Sequence, residues 1–392
     1  MLGRGRLLAA LVVLIAVAVA LGLWLTRKPP EQGPLKLAPL HFSDLPGWSA
    51  GDPRAAFAAF QRSCEAMIAQ APETKLGSYG GTVADWQAVC AASKSADANA
   101  ARDFFEQWFA PLEVSAGDAK DGLFTGYYEP ELKASRIHRG AYRTPVYGLP
   151  TDLVSVDLGA FRPTLAGERI AGRVEHHALV PYATRAEIDA KGLRQAPVLF
   201  WADDPVAVFF LHIQGSGRVS FDDGVKARVA YAGENGHPYT AIGRTLIAEG
   251  RLAKSKVSLQ TIREWLLAHP GDARRVMETD ASFIFFKELP LGDPNLGAVG
   301  AANVALTPWA SVAVDKRLHP YGVPVFVATS LPGGETLNRL YVAQDTGGAI
   351  RGPVRADIFF GVGDKAEALA GTMKQTGRMF VLLPKPLAAR TR

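Results

Sequence analysis

The spacing of apolar residues separates a helical first part of the chain from a remainder made mainly of strands. In five stretches apolar side chains recur every three or four positions, a period that predicts helices. Gly250 follows the fourth stretch at the position where helices commonly end, and Pro270 stops the fifth. The predicted helices span 52–70, 85–93, 95–109, 239–249 and 256–268.

After Leu123 most apolar residues fall into short runs punctuated by Gly and Pro, which predict strands. Many closely spaced strands with many glycines favour barrels over a parallel doubly wound sheet. The predicted fold class is therefore mainly β with flanking helices. The predicted strands span 123–129, 142–148, 206–213, 218–221, 311–315, 323–329, 340–344, 354–360 and 378–383.

The N-terminus carries one long uncharged run, residues 7–25, preceded by Arg4 and Arg6. At about 1.5 Å per residue its length just matches a hydrocarbon core of about 30 Å. It is either a retained membrane anchor or a signal peptide cleaved near Ala18-Val19-Ala20. The length of the run and Trp24 near its end favour an inner-membrane anchor, with the rest of the chain in the periplasm. No Cys is available there for lipid attachment.

Composition narrows the function classes. The chain has 392 residues, of which 48% are hydrophobic and 21% charged, as in an ordinary globular protein of two or three domains. The net charge of +5 is spread without a Lys/Arg block, so we expect no nucleic-acid partner. No glycine-rich nucleotide motif and no credible metal-ligand set is present, and we expect no cofactor and no metal.

The two cysteines, Cys64 and Cys90, each fall on the apolar face of a predicted helix. In a reducing compartment two core thiols would be the default. Because the chain is expected to be exported, an even pair on neighbouring helices predicts a disulfide instead.

Two acids in the C-terminal part are the first candidates for chemistry. Asp345 and Asp357 lie in two short apolar runs on either side of a Gly-rich bend. Asp357 has apolar neighbours, and lost hydration raises the pKa of a carboxyl group toward a value useful for donating a proton. The alternative is structural: Asp345 opens a turn and Asp357 accepts backbone N–H groups at a strand end.

Three other segments offer candidate substrate contacts. FTGYYEPEL places Thr125, Tyr127 and Tyr128 together, and aromatic rings beside hydrogen-bonding groups are suited to sugar rings. The alternative is a Tyr-rich strand with one Tyr in the core. HIQGSGRV presents Gln214 and Ser216; a nucleophilic Ser216 is disfavoured because the elbow motif is incomplete.

The third segment is the predicted helix containing Gln260, which reaches either a cleft or the surface. No second catalytic carboxylate emerges from these segments. A conventional hydrolytic glycosidase needs a pair of carboxylates around the scissile bond. The shortage of candidate carboxylates therefore argues against a conventional hydrolytic glycosidase.

Five segments together resemble one family. FTGYYEP, HIQGSG, YAGENGHPYTAIGRTLI, ASFIFFKE and QDTGGAIRGPVRADIFFG are similar, in order and spacing, to the membrane-bound lytic murein transglycosylases called MltA. The similarity extends from Gly122 to Leu383. It implies an exported enzyme that cleaves the β-1,4 bond between N-acetylmuramic acid and N-acetylglucosamine in peptidoglycan glycan strands, with a 1,6-anhydro product. Asp357 matches the catalytic acid, Asp345 the second acid, and Thr125 a cleft position.

The apolar run predicts an anchor or signal at residues 1–28, and the prolines that follow predict a Pro-rich linker at 29–47. The resemblance implies the domain organisation of the remaining chain. Residues 48–129 and 288–392 form a helical part and a double-psi β-barrel, and 130–287 form an inserted small β-barrel. A groove between the two barrels would hold the glycan.

One acid suffices for the implied reaction, because the attacking nucleophile is the C6 hydroxyl of the substrate. Basic groups such as Arg351 or Arg355 would then contact lactyl carboxylates. Two other functions remain open: a non-catalytic module that binds cell-wall glycan, and an exported aspartic protease, which needs two carboxylates sharing a proton.

Overall fold

The structure, a computed structural model, describes residues 33–165 and 168–391 and is mainly β with some helices, as predicted. The strands are β1 (Leu35–Pro39), β2 (Phe109–Ala116), β3 (Gly122–Glu129), β4 (Glu131–Ser135), β5 (Thr144–Tyr147), β6 (Val154–Asp157), β7 (Arg169–Glu175), β8 (Ala178–Pro181), β9 (Val198–Ala202), β10 (Ser216–Phe221), β11 (Lys226–Glu234), β12 (Ile284–Pro290), β13 (Ser311–Val314), β14 (Pro324–Ser330), β15 (Thr336–Asp345), β16 (Arg355–Val362) and β17 (Lys374–Pro384). The helices are α1 (Arg54–Ile68), α2 (Ala84–Ser95), α3 (Ala101–Trp108), α4 (Arg185–Lys191), α5 (Pro205–Gln214), α6 (Ile242–Ala248), α7 (Leu259–Ala268), α8 (Pro270–Met277), α9 (Asp364–Thr372) and α10 (Lys385–Ala388).

The first sheet joins both ends of the chain. Its eight strands follow the order β1-β2-β17-β14-β15-β13-β16-β3, and β3 also pairs with β17. Two of its pairs are parallel, β13 with β15 and β16 with β3, and the others are antiparallel. Because β3 pairs with strands that lie more than 200 residues later, the first third and the last third of the chain share one core.

The segment between β3 and β13 builds two separate sheets. A six-stranded sheet follows the order β12-β11-β10-β4-β9-β5, and a three-stranded antiparallel sheet follows β6-β7-β8. Glu129 and Glu131 lie on either side of Pro130, so the chain passes from the first sheet to the second within two residues. The first and second sheets have their own apolar clusters, which are centred on different residues.

Helix α1 packs on the first sheet through its apolar face. Phe57, Phe60, Cys64 and Met67 repeat at helical spacing, and all four are buried in the main core. Cys64 is joined to Cys90 of α2 in a disulfide, with their Cα atoms 5.3 Å apart. The two helices are thereby fixed to each other on one side of the sheet.

One predicted strand is wrong. Residues 206–213, interpreted as a strand, form most of helix α5. A short continuous apolar run does not distinguish a buried strand from a buried helix. The deciding signal is local: Pro205 occupies the first turn, and the Asp204 carboxylate accepts the Val206 N–H at 2.8 Å as an N-cap.

The predicted linker 29–47 is also wrong in part. Residues 35–39 form β1, an edge strand that pairs antiparallel with β2. Pro34 and Pro39 are compatible with this strand because it lies at the edge of the sheet, where a missing N–H is tolerated. Leu35 and Leu37 pack against the main core, so burial of these leucines ties the segment to the sheet.

The predicted anchor, residues 7–25, lies outside the residues that the structure describes. Among the helices of 33–165 and 168–391, none combines the length and apolarity needed to cross a membrane. The division of residues 48–392 into two barrels stays a prediction.

Candidate functional site

The two acids lie in one row across the first sheet. Asp357 in β16 pairs with Thr125 of β3 on one side and with Ala313 of β13 on the other, and Asp345 pairs with Ala313 from β15. Residues directly opposite each other on neighbouring strands share a face. With strands about 4.8 Å apart, the Cα atoms of the two acids are about 10 Å apart. Lys374 of β17 extends the row beyond Thr125.

The row faces away from the main core. In β16, Ala356, Ile358 and Phe360 belong to that core, whereas Phe359 belongs to a separate small cluster. This outer cluster consists of Tyr127, Leu306, Ala313, Ile350 and Phe359, of which Tyr127 bonds to Asp345 and Ala313 pairs with both acids. The alternation of a strand therefore places the Asp357 carboxyl on the face that carries only this small apolar cluster.

Asp357 is half-buried and has one hydroxyl partner. Thr125 Oγ1 donates a hydrogen bond to its Oδ1, and no group in the described part of the chain donates to Oδ2. Burial raises the pKa of Asp357, against the opposing effects of the Arg355 charge and the Thr125 hydrogen bond. This direction suits a general acid, because it keeps a proton on the carboxyl at higher pH.

Asp345 is held by more groups. The Tyr127 hydroxyl donates to Oδ2 and the Ala301 N–H to Oδ1, each at 3.0 Å. Burial raises the pKa of Asp345, and the negative charge of Asp357 raises it further, while the donated hydrogen bonds act in the opposite direction. Both oxygens are occupied, so this acid is placed to support Asp357 rather than to approach a ligand.

Asp315 and His319 hold the loop between Asp345 and Asp357 in place. The Gly352 N–H donates to Asp315 at 2.9 Å, and Gly352 has a φ of +109°, which favours glycine. His319 Nε2 donates to the Pro353 carbonyl at 2.7 Å, so its Nδ1 accepts from the Tyr79 hydroxyl at 2.6 Å. Burial lowers the pKa of His319 to about 4, so the ring stays neutral in this role.

Helix α1 fixes the strand end that carries Asp345. The amide of Gln344, the preceding residue, donates to the Ala59 carbonyl at 2.9 Å and to Ser63 Oγ at 2.8 Å. Ser63 is next to Cys64, whose disulfide ties α1 to α2. These two hydrogen bonds join the helical part to the strand that carries Asp345.

Of the other predicted substrate contacts, the structure places only some beside the two acids. Thr125 and Tyr127 touch the two acids, as described above. Tyr128 faces the main core, and its N–H donates to Gln214 Oε1 at 3.1 Å, where the end of α5 meets β3. Ser216, half-buried, begins β10 two residues later. The Gln260 amide donates to the Glu367 carbonyl at 2.9 Å between α7 and α9.

Arg351 and Arg355, the predicted contacts of lactyl carboxylates, differ in exposure. Arg351 is exposed, with one guanidinium nitrogen 3.8 Å from Asp315. Arg355 is only 8% exposed and binds backbone carbonyls and Thr125. The expectation that Arg355 contacts a lactyl carboxylate is disfavoured, because the side chain is buried and three donor contacts go to protein oxygens.

The sequence did not reveal the donors and supports that come from distant segments. The Ala301 N–H, Asp315 and His319 all act on the two acids or their loop. Asp315 left a weak signal, since it follows the apolar run 311–314 as a polar residue at a strand end. A backbone N–H such as that of Ala301 leaves no signal in a sequence.

Two further observations concern a cavity near the site and the binding of metal ions. A cavity of about 550 Å³ lies between α1 and the loops at 301–303 and 316–322. Ala301 separates it from Asp345, and neither acid lines it. Among the residues that the structure describes, no group of three or more His, Cys, Asp or Glu side chains could hold a metal ion.

Comparison with known proteins identifies relatives. The family model "MltA specific insert domain" matches residues 123–287, and the model "3D domain" matches residues 310–383. The membrane-bound lytic murein transglycosylase A of Escherichia coli K12 is 33% identical over 271 residues, which are 67% of this chain and 66% of that protein. The chain thus spans about two thirds of the length of this curated relative.

Solved structures extend the similarity over most of the chain. A membrane-bound lytic murein transglycosylase from Agrobacterium tumefaciens superposes with a TM-score of 0.78 at 34% identity, covering 91% of this chain and 100% of that one. The structure of E. coli MltA with bound chitohexaose gives a TM-score of 0.62 at 27% identity, covering 90% of this chain and 93% of the other. Together these relatives support a lytic transglycosylase function, and the chain belongs to the MltA family of lytic murein transglycosylases.

Proposed function

We propose that this protein cleaves the β-1,4 bond between N-acetylmuramic acid and N-acetylglucosamine in peptidoglycan, releasing a 1,6-anhydro-muramic acid end. The observation that carries the proposal is Asp357: a half-buried carboxyl on an outward face, with a pKa raised by burial and with one oxygen lacking a donor among the described residues. A carboxyl in this state is suited to give a proton to a leaving oxygen.

The reaction needs one acid that acts twice. Protonated Asp357 gives its proton to the glycosidic oxygen, and the C1–O bond breaks with its electron pair leaving on that oxygen. The C6 hydroxyl of the same sugar attacks C1, and the Asp357 carboxylate takes the hydroxyl proton. The acid is regenerated and no water is consumed, so a second carboxylate that activates water is not required.

Asp345 is coupled to this cycle through the charge of Asp357 and through Tyr127. The Tyr127 ring packs on Phe359 with ring centroids 5.2 Å apart, and its hydroxyl binds Asp345. The negative charge of Asp357 raises the pKa of Asp345, so a second negative charge beside it is disfavoured. The same charge stabilises positive character that develops at C1 when the bond breaks.

The position of Asp357 argues against the two other functions. In a non-catalytic glycan-binding module this acid would serve a turn, but it lies within strand β16 with its carboxyl half-buried. An aspartic protease needs two carboxyls about 3 Å apart that share a proton. Here Ala313 lies between the strands that carry the two acids, and each acid has donors of its own.

The substrate is proposed to lie in a groove between the first and second sheets. Chitohexaose, bound by the E. coli relative, is a sugar oligomer and is consistent with a glycan strand as the ligand. Thr125 and Tyr127 are next to the acids, and Gln214 reaches β3 from α5 of the inserted segment. We propose that these residues with Tyr128, Ser216 and Gln260 line or support the glycan site.

We also propose that the first sheet is a double-psi β-barrel and that residues 130–287 form a smaller one. In support, the pairings run β3-β17-β14-β15-β13-β16 and return to β3, and two of them are parallel. In the second sheet, a bridge between Gly148 and Phe286 relates the β5 end to the β12 end.

The proposed location is the periplasm, with residues 7–25 as an anchor in the inner membrane. Support comes from the uncharged run at the N-terminus, from the word membrane-bound in the names of relatives and from the disulfide, which forms in oxidising compartments. Fractionation of a C-terminally tagged chain tests the location. A soluble form shortened by about twenty residues would indicate cleavage, and a cytoplasmic form would contradict export.

The reaction is tested by mass spectrometry of muropeptides released from purified cell walls. The proposal predicts products with anhydro ends, each lighter by one water than the hydrolysis product. Products with reducing ends would assign a hydrolase instead. Binding of the glycan without any release would assign the non-catalytic module.

A further inference from the structure

Arg355 is buried beside the catalytic acid, and each of its partners is an oxygen. It pairs in register with Leu123 at the start of β16, two residues before Asp357 and on the same face. Nη1 donates to the Ala356 carbonyl at 2.6 Å and lies 3.3 Å from the Leu123 carbonyl, and Nη2 donates to Thr125 Oγ1 at 2.8 Å. A guanidinium group has donors only, so the direction of these bonds is fixed.

The bond to Thr125 determines where its hydroxyl proton points. A hydroxyl has one hydrogen to donate, and its oxygen accepts from others. Since Thr125 Oγ1 accepts from Arg355, it is left free to direct its own hydrogen at Asp357 Oδ1. The hydrogen bonds thus run in one direction, from Arg355 to Thr125 and from Thr125 to Asp357.

We propose that Arg355 is a positioning residue, which holds Thr125 as a permanent donor to Asp357 and thereby supports the carboxylate form of that acid. The inference rests on the proposed function, in which Asp357 must be a carboxylate when it takes the C6 proton. The hydrogen bond from Thr125 favours that form, and so does the nearby positive charge.

The burial of Arg355 separates this role from two simpler ones. A residue that binds the glycan would present its guanidinium to the groove, whereas Arg355 is 8% exposed. A purely structural clamp between β3 and β16 would need only the two backbone carbonyls. The bond to Thr125 is the contact that a clamp does not require.

The sign of the effect follows from the groups around Asp357. Arg355 on its own strand and Thr125 on β3 favour its charged form, whereas burial disfavours it. Asp345 on β15 is linked to the row through Tyr127, and the charge of Asp357 raises the pKa of Asp345. Lys374 on β17 is next in the row after Thr125. Removing Arg355 leaves the effect of burial less opposed, so the pKa of Asp357 rises. The alkaline limb of kcat/KM, where the general acid loses its proton, then moves to higher pH.

The test compares Arg355→Met, Thr125→Val and the double variant, with Arg54→Met as control. Arg54 is an exposed arginine that pairs with Asp52 on the surface, so its loss removes one charge without touching the row. We expect Arg355→Met and Thr125→Val each to move the alkaline limb upward by about one pH unit, as loss of a close charge or donor does. For Arg355→Met, KM stays unchanged while kcat falls.

Coupling between the two positions decides whether Arg355 acts through Thr125. The double variant should move the limb by clearly less than the sum of the single variants. The proposal would be overturned if the shifts of the two single variants added fully in the double variant, or if the limb stayed at the wild-type position. A raised KM with an unmoved limb would also overturn it. If Arg355→Met does not fold, Arg355→Lys takes its place, because one ammonium group cannot serve three oxygens and should move the limb the same way by less.

A second readout does not depend on catalysis. In protein labelled with ¹³C at the Asp carboxyls, with Asp357→Asn assigning the signal, the Asp357 titration can be followed without substrate. An upward move of that titration in Arg355→Met supports the positioning role even if wild-type protein releases no anhydro product, in which case only the proposed reaction fails. An unmoved titration in an active enzyme overturns the positioning role alone.

Discussion

The two faces of strands β3 and β16 have the same backbone but opposite surroundings. On the inner face, Phe124, Ala356 and Ile358 are fully buried in the large core that the helices and the first sheet share. On the outer face, Thr125 and Asp357 are half-buried above a cluster of only five apolar residues. Because side chains alternate along each strand, residues on the inner face contribute to stability and residues on the outer face contribute to the chemistry.

This difference explains how one acid obtains an apolar setting without being sealed off. The main core would bury a carboxyl completely and leave it inaccessible to a glycan. The small outer cluster removes enough water to raise the pKa of Asp357, and one carboxyl oxygen stays without a donor among the described residues. Changes on the outer face should therefore alter rates and pH profiles, and changes on the inner face should alter stability.

The largest expected effect belongs to Asp357→Asn. Asn keeps the shape of the side chain but has no proton to give, so the rate of anhydro-muropeptide release should fall at least about a hundredfold. Thermal unfolding at neutral pH should occur at the wild-type temperature or slightly above it. The sign follows from linkage: burial raises the pKa in the folded state, so the carboxyl destabilises the fold as pH rises through the unfolded value toward the folded one.

The matched control is Asp118→Asn, which makes the same chemical change at an exposed carboxylate paired with Lys36. It should leave the rate unchanged. An Asp357→Asn variant that keeps a tenth of the wild-type turnover would contradict the assignment of the acid.

The inner face is tested by Ile358→Ala, one residue away. Ile358 is fully buried, and truncation of such a side chain costs about 2–5 kcal/mol in the free energy of unfolding. The alkaline limb of kcat/KM should stay at its wild-type pH, because the outer row is untouched. Denaturant unfolding and a pH profile measure the two quantities. Unchanged stability with a moved limb would reverse the roles of the faces.

Removal of the disulfide should also act on stability alone. Cys64 and Cys90 are 26 residues apart, and opening a loop of that size costs roughly 3 kcal/mol in the chain-entropy description. Cys64→Ser with Cys90→Ser should lower the unfolding free energy by about this amount and leave the pH profile in place. Mass analysis of wild-type protein, alkylated without reduction, checks the bond itself: two modified thiols would contradict it.

Asp345→Asn should have the smallest effect of this series, a loss of about tenfold in kcat. The Asn side chain keeps an oxygen for the Ala301 N–H but loses the negative charge near Asp357. The alkaline limb should not move upward as it does in the Arg355 variants, because neither the positive charge nor the donor that acts on Asp357 is lost. A folded variant as inactive as Asp357→Asn would make the two acids a catalytic pair.

The sequence was sufficient for patterns that are local. The short apolar run at 354–360 predicted a strand, and the apolar neighbours of Asp357 predicted a carboxyl with a raised pKa. Helical spacing placed Cys64 and Cys90 on buried helix faces. The resemblance of five short segments to MltA agrees with the relatives found by comparison.

The sequence was insufficient where the answer depends on register and on distant partners. Nothing local to Asp345 or Asp357 tells that Ala313 lies between them, or that Ala301 donates to one of them. Arg355 shows the same limit. A basic residue near a catalytic acid suggests a substrate contact, and only its pairing with β3 shows that it is buried and bonded to Thr125.

The most direct test of the central claim is digestion of purified cell walls by the wild-type protein in water enriched in ¹⁸O. If the substrate's own C6 hydroxyl attacks C1 while Asp357 transfers the proton, the released muramic acid ends are 1,6-anhydro and carry no ¹⁸O. Asp357→Asn yields neither product in the same assay. Reducing ends labelled with ¹⁸O would contradict the account, because they would mean that an activated water completes the reaction.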